Sequence, residues 1–466
     1  MIKESFRKYL EEAIGSDNAL VAFSAFDTPA SVSLRLNPSK PCSCAAALRE
    51  SGRQVPWSPS GVLLDKRPLF TLDPLFHCGA YYVQDSSSMF VGHVMRRFLP
   101  ELPPSRPVRV LDLCAAPGGK TTDIAASLRA AYGDSFLLVA NEVMKQRCSV
   151  LADNVALWGD PNVIVTNDDP RAFSALEGFF DIIVADVPCS GEGMFRKDMK
   201  AVEQWSEDNV ALCAARQKRI VADVWNSLAD GGLFIYSTCT FNRMENDRNV
   251  EWMVSEFGAK PLTAGIKCFG EGVIDTEYGY SLVPGFVPGE GQYCAALRKE
   301  GSACGIGTEG GRAFRPVRAT MKSEPALQVL EGLFSGEMSF RKKGEMYIAV
   351  PSVVESLAGA VESSLHVVAE GCAAGVMKGR DFVPDADLAL SVKASPDAFP
   401  SADVDMKTAL AFLHKDSIVL PDAPKGYLRV CHDSLPLGFV KNLGNRCNNL
   451  HPSGRRIRME VDGIIR

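Results

Sequence analysis

The chain has 466 residues, 46% of them hydrophobic and 23% charged, with a formal net charge of −6. That length suits about two to four domains of ordinary globular composition. The acidic balance weighs mildly against a nucleic-acid binder, which is usually basic, and no apolar run is long enough to span a membrane. Residues 1–10 alternate charges without an apolar signal region, so export is not expected. The fourteen cysteines form no Cys-x-x-Cys pair, and Cys42-Ser-Cys44 is their one close couple. Reduced thiols in the cytoplasm, with no zinc site, are therefore expected.

Along the chain, Phe6, Tyr9, Leu10 and Ile14 recur at helical spacing, residues 30–37 alternate like a strand, and 44–50 read as a helix. Residues 56–68 read as irregular. The expectation is a small α+β module over 1–75, with one or more helices packed on strands. A short extended piece at 81–84 then leads to a helix capped near Asp85 or Ser86. From there strands and helices alternate: strands at 108–113, 136–140, 163–166, 181–185, 233–238 and 292–299, helices at 121–131, 144–157, 210–228 and 246–257. Such alternation predicts a doubly wound parallel sheet over 76–300. A glycine-rich linker occupies 301–324, an intermediate unit with a helix at 327–334 and a strand at 347–350 fills 325–390, and a last unit spans 391–466. From Lys425 onward eight Lys and Arg face only Asp433, Glu460 and Asp462. A basic tail on an acidic body hints at a polyanionic partner, although solvated charged faces are common.

The first strand turns into its helix through Leu111-Asp-Leu-Cys-Ala-Ala-Pro-Gly-Gly-Lys-Thr121. Such a turn lets the backbone approach a ligand seated at the helix N-terminus. The spacing is not that of a phosphate loop. Glu142 follows the second strand, where an acid commonly holds a ribose hydroxyl pair, and Asp169 follows the third; singly, each would more often be a loop acid or a helix cap, but together they outline a nucleoside pocket.

Two further strand ends carry cysteine: Asp186-Val-Pro-Cys189 and Tyr236-Ser-Thr-Cys239-Thr240. A lone buried cysteine is usually structural. In the usual topology, however, the first, fourth and fifth strands are neighbours, so both thiols would meet beside the glycine turn. Two thiols and a carboxylate next to a nucleoside pocket point to one reaction. Carbon 5 of cytosine is a poor nucleophile. A thiolate adding at carbon 6 turns carbon 5 into an enamine carbon able to attack a sulfonium methyl group; a base then removes the carbon-5 proton and the thiol leaves. Asp186 is placed to hydrogen-bond the base and to protonate or orient its nitrogen 3. This chemistry does not choose between the thiols.

These motifs, with Gly191-Glu-Gly-Met-Phe-Arg-Lys-Asp198, Tyr81 to Met89 and Pro56-Trp57, resemble the Sun (Fmu)-type RNA 5-methylcytosine methyltransferases, in their RsmF (YebU-like) bacterial 16S rRNA branch. The resemblance runs from about residue 32 to 299 and resumes over 435–457. It implies a class I (Rossmann-like) S-adenosylmethionine-dependent methyltransferase core with an N-terminal α+β module and a C-terminal PUA-like RNA-binding domain. It implies that Cys239 is the nucleophile and Cys189 releases product, with Asp186 also catalytic. It implies that Cys114, Ala115, Ala116, Pro117, Gly118, Gly119, Lys120, Glu142, Asp169 and Asp186 contact S-adenosylmethionine, with Lys120 also facing the base. The implied partner is 16S rRNA or the small ribosomal subunit, met by a cytoplasmic monomer without a metal. Departures are Asp230 for a usual proline, Asn242-Arg-Met for a Pro-Glu-Glu type run, Asp85 for Glu and Ser453 for lysine. Two other readings stay open: a tRNA 5-methylcytosine enzyme, and a non-catalytic RNA-binding ribosome-assembly factor.

Overall fold

A computed structural model describes residues 3–99, 106–263, 272–301 and 326–460. Nearly all of the 301–324 linker, and Asp462 and Arg466 of the basic tail, lie outside them. The centre is a ten-stranded sheet. Its five inner strands, Val163–Thr166, Phe136–Asn141, Val108–Asp112, Phe180–Asp186 and Leu228–Thr238, lie side by side in that order and are all parallel. They are apolar almost throughout because helices cover both faces, as in any parallel sheet. The chain winds outward from Val108–Asp112 to one side and then returns to fill the other. The switch point therefore falls between Val108–Asp112 and Phe180–Asp186, and ligands bind at the carboxyl ends of strands at such a point.

The sheet is mixed rather than parallel to its edges. Gln292–Arg298 runs antiparallel against Leu228–Thr238, and Val273–Asp275, Tyr280–Leu282 and Lys260–Leu262 extend that side. At the opposite edge Val367–Glu370, from the intermediate unit, pairs antiparallel with Val163–Thr166. Helix Glu355–Ser364 of that unit buries Ala358 and Val361 in the same apolar cluster as Leu111, Ile164 and Phe173. Part of the intermediate unit thus completes the core, and the remainder forms a four-stranded sheet of its own.

Local reading also erred at one junction. The helix expected over 210–228 spans Glu207–Trp225, and Leu228 already belongs to the strand. The Ser227 backbone and hydroxyl both bond the Val224 carbonyl and stop the helix, and the Ser227 carbonyl accepts from Phe180 N. Residues 56–68 are not wholly irregular, since Gly61–Leu64 is a strand.

The amino-terminal module packs helix Ser43–Ser51 on its sheet, Ala45 lying in one cluster with Leu34 and Val62, as expected. Its sheet takes in Arg53–Gln54, Gly61–Leu64, Val32–Leu36 and Tyr81–Val83, which reaches past residue 75. Helices Glu4–Ile14 and Ser16–Phe26 do not pack on that sheet. Phe6, Leu10, Ala19 and Ala22 bury against Phe195, Trp205, Phe241 and Val283 of the core. The sheet instead shares a cluster with the carboxy-terminal unit, Leu34, Leu36 and Tyr81 meeting Leu410, Phe412 and Leu437. That unit is a sheet of Ser401–Asp403, Gly426–His432, Leu435–Asn442 and Cys447–Asn449 with helix Met406–His414.

Arg35 joins the module to the core. It is fully buried, its Nε donates to Gln84 Oε1 at 2.9 Å, and its Nη2 donates to the Gly119 carbonyl at 3.2 Å and to Thr122 Oγ1. Its guanidinium lies 4.6 Å over the Trp158 ring, and Asp123 is 3.9 Å from Nε. Arg35→Met strands these buried acceptors and should destabilise the protein by about 3 kcal/mol. A lowered urea midpoint checks this, and an unchanged midpoint would show that the junction is held by other contacts.

Candidate active site

The register of the inner strands decides the site. Asp186 pairs with Ser237, so Phe180–Asp186 and Leu228–Thr238 end level, and the loops carrying Cys189 and Cys239 leave at the same height. The two sulfurs stand 3.2 Å apart, both as free thiols and both partly exposed. The Cys189 thiol is held well above the ordinary thiol range, first by its hydrogen bond with Cys239 and then by burial.

Asp186 sits beneath them. Its Oδ2 accepts from Lys120 Nζ at 2.9 Å; its Oδ1 accepts from Ser237 Oγ at 2.8 Å and Gln292 Nε2 at 3.0 Å. Burial works against the charge on Lys120, but Asp186 more than offsets it and the Cys239 sulfur adds to the effect, so its pKa is raised. Lys120 is a cation at the foot of the thiol pair. Because Asp186 only accepts from these three donors, the group with protons to offer a base is Lys120. Asp186 is thereby held in place by three donors.

The glycine turn wraps the other side of this ion pair. Gly118 has φ +114°, a left-handed conformation that a side chain would strain, and it begins helix Gly119–Tyr132. Ala115 N bonds the Asn141 carbonyl, the Ala116 carbonyl accepts from Arg147, and the Pro117 carbonyl accepts from Asn154, so the turn is pinned on its far side. Burial, with Asp186 and Asp112 nearby, pushes the Cys114 thiol up.

Glu142 is buried after the second inner strand, accepting from Met144 N at 2.8 Å and pairing with Arg147 at 3.1 Å. Asp169 is exposed. It caps the 170–176 turn through Arg171 N and lies 3.9 Å from Arg219, and no hydrogen bond or ion pair ties it to Glu142 or Asp186 among the described residues. In the Phe195-Arg-Lys-Asp198 run Phe195 is buried, Arg196 is partly buried, and Lys197 and Asp198 are exposed. Arg196 chelates Glu290, Lys197 meets Asp85 at 3.1 Å, and Asp198 caps helix Met199–Gln204.

Sequence reading passed over Asp112. It is fully buried, one oxygen accepts from Thr121 Oγ1 at 2.7 Å, and the other has no partner. Burial pushes it up to about 7, the Thr121 bond works against the shift, and Asp186 and Glu142 add to it. An acid ending an otherwise apolar strand was the available signal. Asp112, Glu142 and Asp186 together make a carboxyl cradle with an idle acceptor. A ligand carrying a sulfonium and an ammonium group fits such a cradle, and hydroxyl pairs fit the spare lone pairs of Glu142. Among the described residues, no cluster of side chains suits a metal ion.

Glycine turn, carboxylate cradle and switch point define a Rossmann-like methyltransferase. Residues 101–298 match the family model described as 16S rRNA methyltransferase RsmB/F, residues 2–86 that of the N-terminal domain of 16S rRNA methyltransferase RsmF, and residues 399–457 that of the methyltransferase RsmF PUA domain. The ribosomal RNA small subunit methyltransferase F of Erwinia tasmaniensis is 30% identical over 420 residues, covering 85% of this chain and 84% of that one. Its counterpart in Klebsiella pneumoniae is 31% identical over 416 residues, covering 85% and 83%. The chain belongs to the ribosomal RNA small subunit methyltransferase F family. It shares its fold with a methyltransferase homolog from Pyrococcus horikoshii (TM-score 0.53, 24% identity, 64% of this chain and 95% of that one). It is likewise similar to NSun6 from Pyrococcus horikoshii with SFG (TM-score 0.52, 20% identity, 64% and 99%).

The raised Asp112 value has a consequence for stability. Its unfolded value is near 3.8 and its folded value about 7, so the native state holds an extra proton between them and stability falls as pH rises through that window. Asp112→Asn removes this loss. Relative to the parent, the variant should gain up to ~3 kcal/mol between about pH 4 and pH 7 while losing affinity for the methyl donor. Urea unfolding at the two pH values and calorimetric binding check both halves.

Proposed function

We propose that this chain transfers a methyl group to carbon 5 of a cytidine in 16S rRNA through a covalent bond between Cys239 and carbon 6 of the base. The observation that carries the reading is the 3.2 Å approach of Cys189 and Cys239 at the ends of adjacent parallel strands, beside the Lys120–Asp186 pair. The 114–120 turn, Glu142, Asp169 and Asp186 would hold S-adenosylmethionine, which would supply the electrophilic methyl group.

Cys239 attacks as thiolate, and the neighbouring Lys120 ammonium favours that form. The new carbon–sulfur bond moves ring electrons toward carbon 5, and Lys120 offers its protons to the heteroatom that gains charge. After methylation a base removes the carbon-5 proton and the carbon–sulfur bond breaks. Cys239 leaves as the thiolate it began as, with the carbon-5 proton on the base, and Cys189, 3.2 Å away, assists this release. A cytosine stacked in a duplex cannot meet a thiol at carbon 6, so the base must be flipped into the cleft.

RNA is then held by phosphate and shape contacts. Lys425, Arg446, Arg456 and Arg458 of the carboxy-terminal unit are exposed and suited to this. Others in the same tail have internal duties: Arg455 pairs with Asp153 and Asp387, and Arg429 bonds main-chain carbonyls of residues 395–399. No helix among the described residues is long and apolar enough to cross a membrane, and a cytoplasmic monomer acting on the ribosomal small subunit accords with the reading.

Cys239→Ala should abolish transfer of tritiated methyl groups to small-subunit RNA, and full retention would overturn the assignment. Cys189→Ala should instead accumulate an RNA–protein adduct, visible as a retarded band on a denaturing gel. Absence of that band, with turnover intact, would remove Cys189 from product release. Bisulfite sequencing of rRNA and tRNA from a deletion strain separates the rRNA substrate from a tRNA one, and loss of no 5-methylcytosine in either would favour an assembly factor.

A further inference from the structure

Two buried carboxylates lie behind the thiol pair, and neither belongs to the chemistry described above. Glu192, three residues past Cys189, is fully buried and accepts from four N–H groups: Phe241 N at 2.7 Å, Asn242 N at 3.1 Å, Asn242 Nδ2 at 2.8 Å and Trp205 Nε1 at 2.9 Å. The first three belong to the loop that follows Cys239. Glu245, six residues past Cys239, is also fully buried and accepts from Ser190 N at 3.0 Å, Gln217 Nε2 at 2.7 Å and Asn242 Nδ2 at 2.8 Å. Ser190 adjoins Cys189. Each cysteine loop therefore carries the carboxylate that grips the other cysteine loop, and the Asn242 amide joins the two grips.

The brace reaches Cys239 itself. Gly193 N donates to the Cys239 carbonyl at 2.8 Å, and a Cβ at Gly193 would lie 2.9 Å from that oxygen, so nothing larger than glycine fits. It also reaches the amino terminus. Trp205 is 1% exposed, its indole N–H is spent on Glu192, and its ring packs edge-on against Phe6 at 5.4 Å and Tyr9 at 5.7 Å. The docking site of helix Glu4–Ile14 is thus one side chain away from the carboxylate that holds the loop after Cys239.

We infer that Glu192 is a positioning residue for Cys239, setting the separation of the two sulfurs and coupling the nucleophile loop to the amino-terminal helical hairpin through Trp205. This rests on Cys239 being the nucleophile of the proposed reaction. A carboxylate suits the place because every partner is a donor; an amide would turn an N–H toward another N–H. Glu192 touches no reacting atom, and its effect is on where the sulfur stands. A displacement of about 1 Å can cost roughly 100-fold in rate without altering binding.

The test uses the full chain with Glu192→Gln. Turnover with small-subunit RNA should fall about 100-fold, with S-adenosylmethionine affinity and RNA KM unchanged within about twofold. In Cys189→Ala/Glu192→Gln the RNA adduct should form slowly. The rate of iodoacetamide alkylation at Cys239, followed by peptide mass spectrometry, should also change. Trp205→Phe keeps the ring packing, removes one donor, and should slow turnover about three- to tenfold. Should Glu192→Gln fail to fold, Trp205→Phe decides. Turnover within twofold of the parent in the variant that decides overturns the proposal, as does a parallel loss of turnover and cofactor affinity, which would mark a merely structural role. Retained activity in Cys239→Ala would instead overturn the reaction itself, whereas the alkylation change would still report the brace.

Discussion

The level ending of two adjacent parallel strands is the constraint on which the rest depends. Asp186 opposite Ser237 fixes the height at which both cysteine loops begin. A parallel pair cannot slip by one residue here without turning every buried side chain of Leu228–Thr238 to the opposite face. Because the strand is buried on both faces, any such slip would misplace Phe234 and Ile235 together. The sulfur–sulfur approach thus inherits its precision from core packing, and the surrounding hydrogen bonds refine it.

Around that point the electrostatics are costly. Asp112 and Glu245 are each pushed up to about 7, Asp112 by burial and Glu245 by burial together with Glu192. Such groups are tolerated where a ligand or a geometry requires them. They serve different ends. Asp112 has an oxygen with nothing to accept from. Glu245 and Glu192 are saturated with donors and face the protein. An idle acceptor marks a place for a ligand, and a saturated one marks a brace.

The flanking regions are less separate than their order along the chain implies. Amino- and carboxy-terminal units share one apolar cluster, and the intermediate unit lends a strand and a helix to the central core. The amino-terminal helices lie on the segment that follows Cys189. Arg196 and Asp198, part of a run that carries the family resemblance, are spent on Glu290 and on a helix cap. A surface that binds RNA must therefore be sought among side chains left exposed after such internal duties.

What the sequence by itself determined was local and periodic: the alternation of apolar strands and helices, the glycine turn, and the two cysteines at strand ends. Neighbour-to-neighbour patterns encode these directly, and the side-by-side order of the first, fourth and fifth inner strands follows from topology rules. Three things were decided only in tertiary structure. Val367–Glu370 joined the central sheet and the amino-terminal helices left their own module, because pairing edges and apolar faces are satisfied by whatever the fold brings near. Asn242, which in sequence was only a departure from a familiar run, became the amide bridging two carboxylates. Asp169, equal to Glu142 on sequence grounds, came out as an exposed cap whereas Glu142 was buried. Burial and partnership depend on residues far apart in the chain, and no window along the sequence contains them.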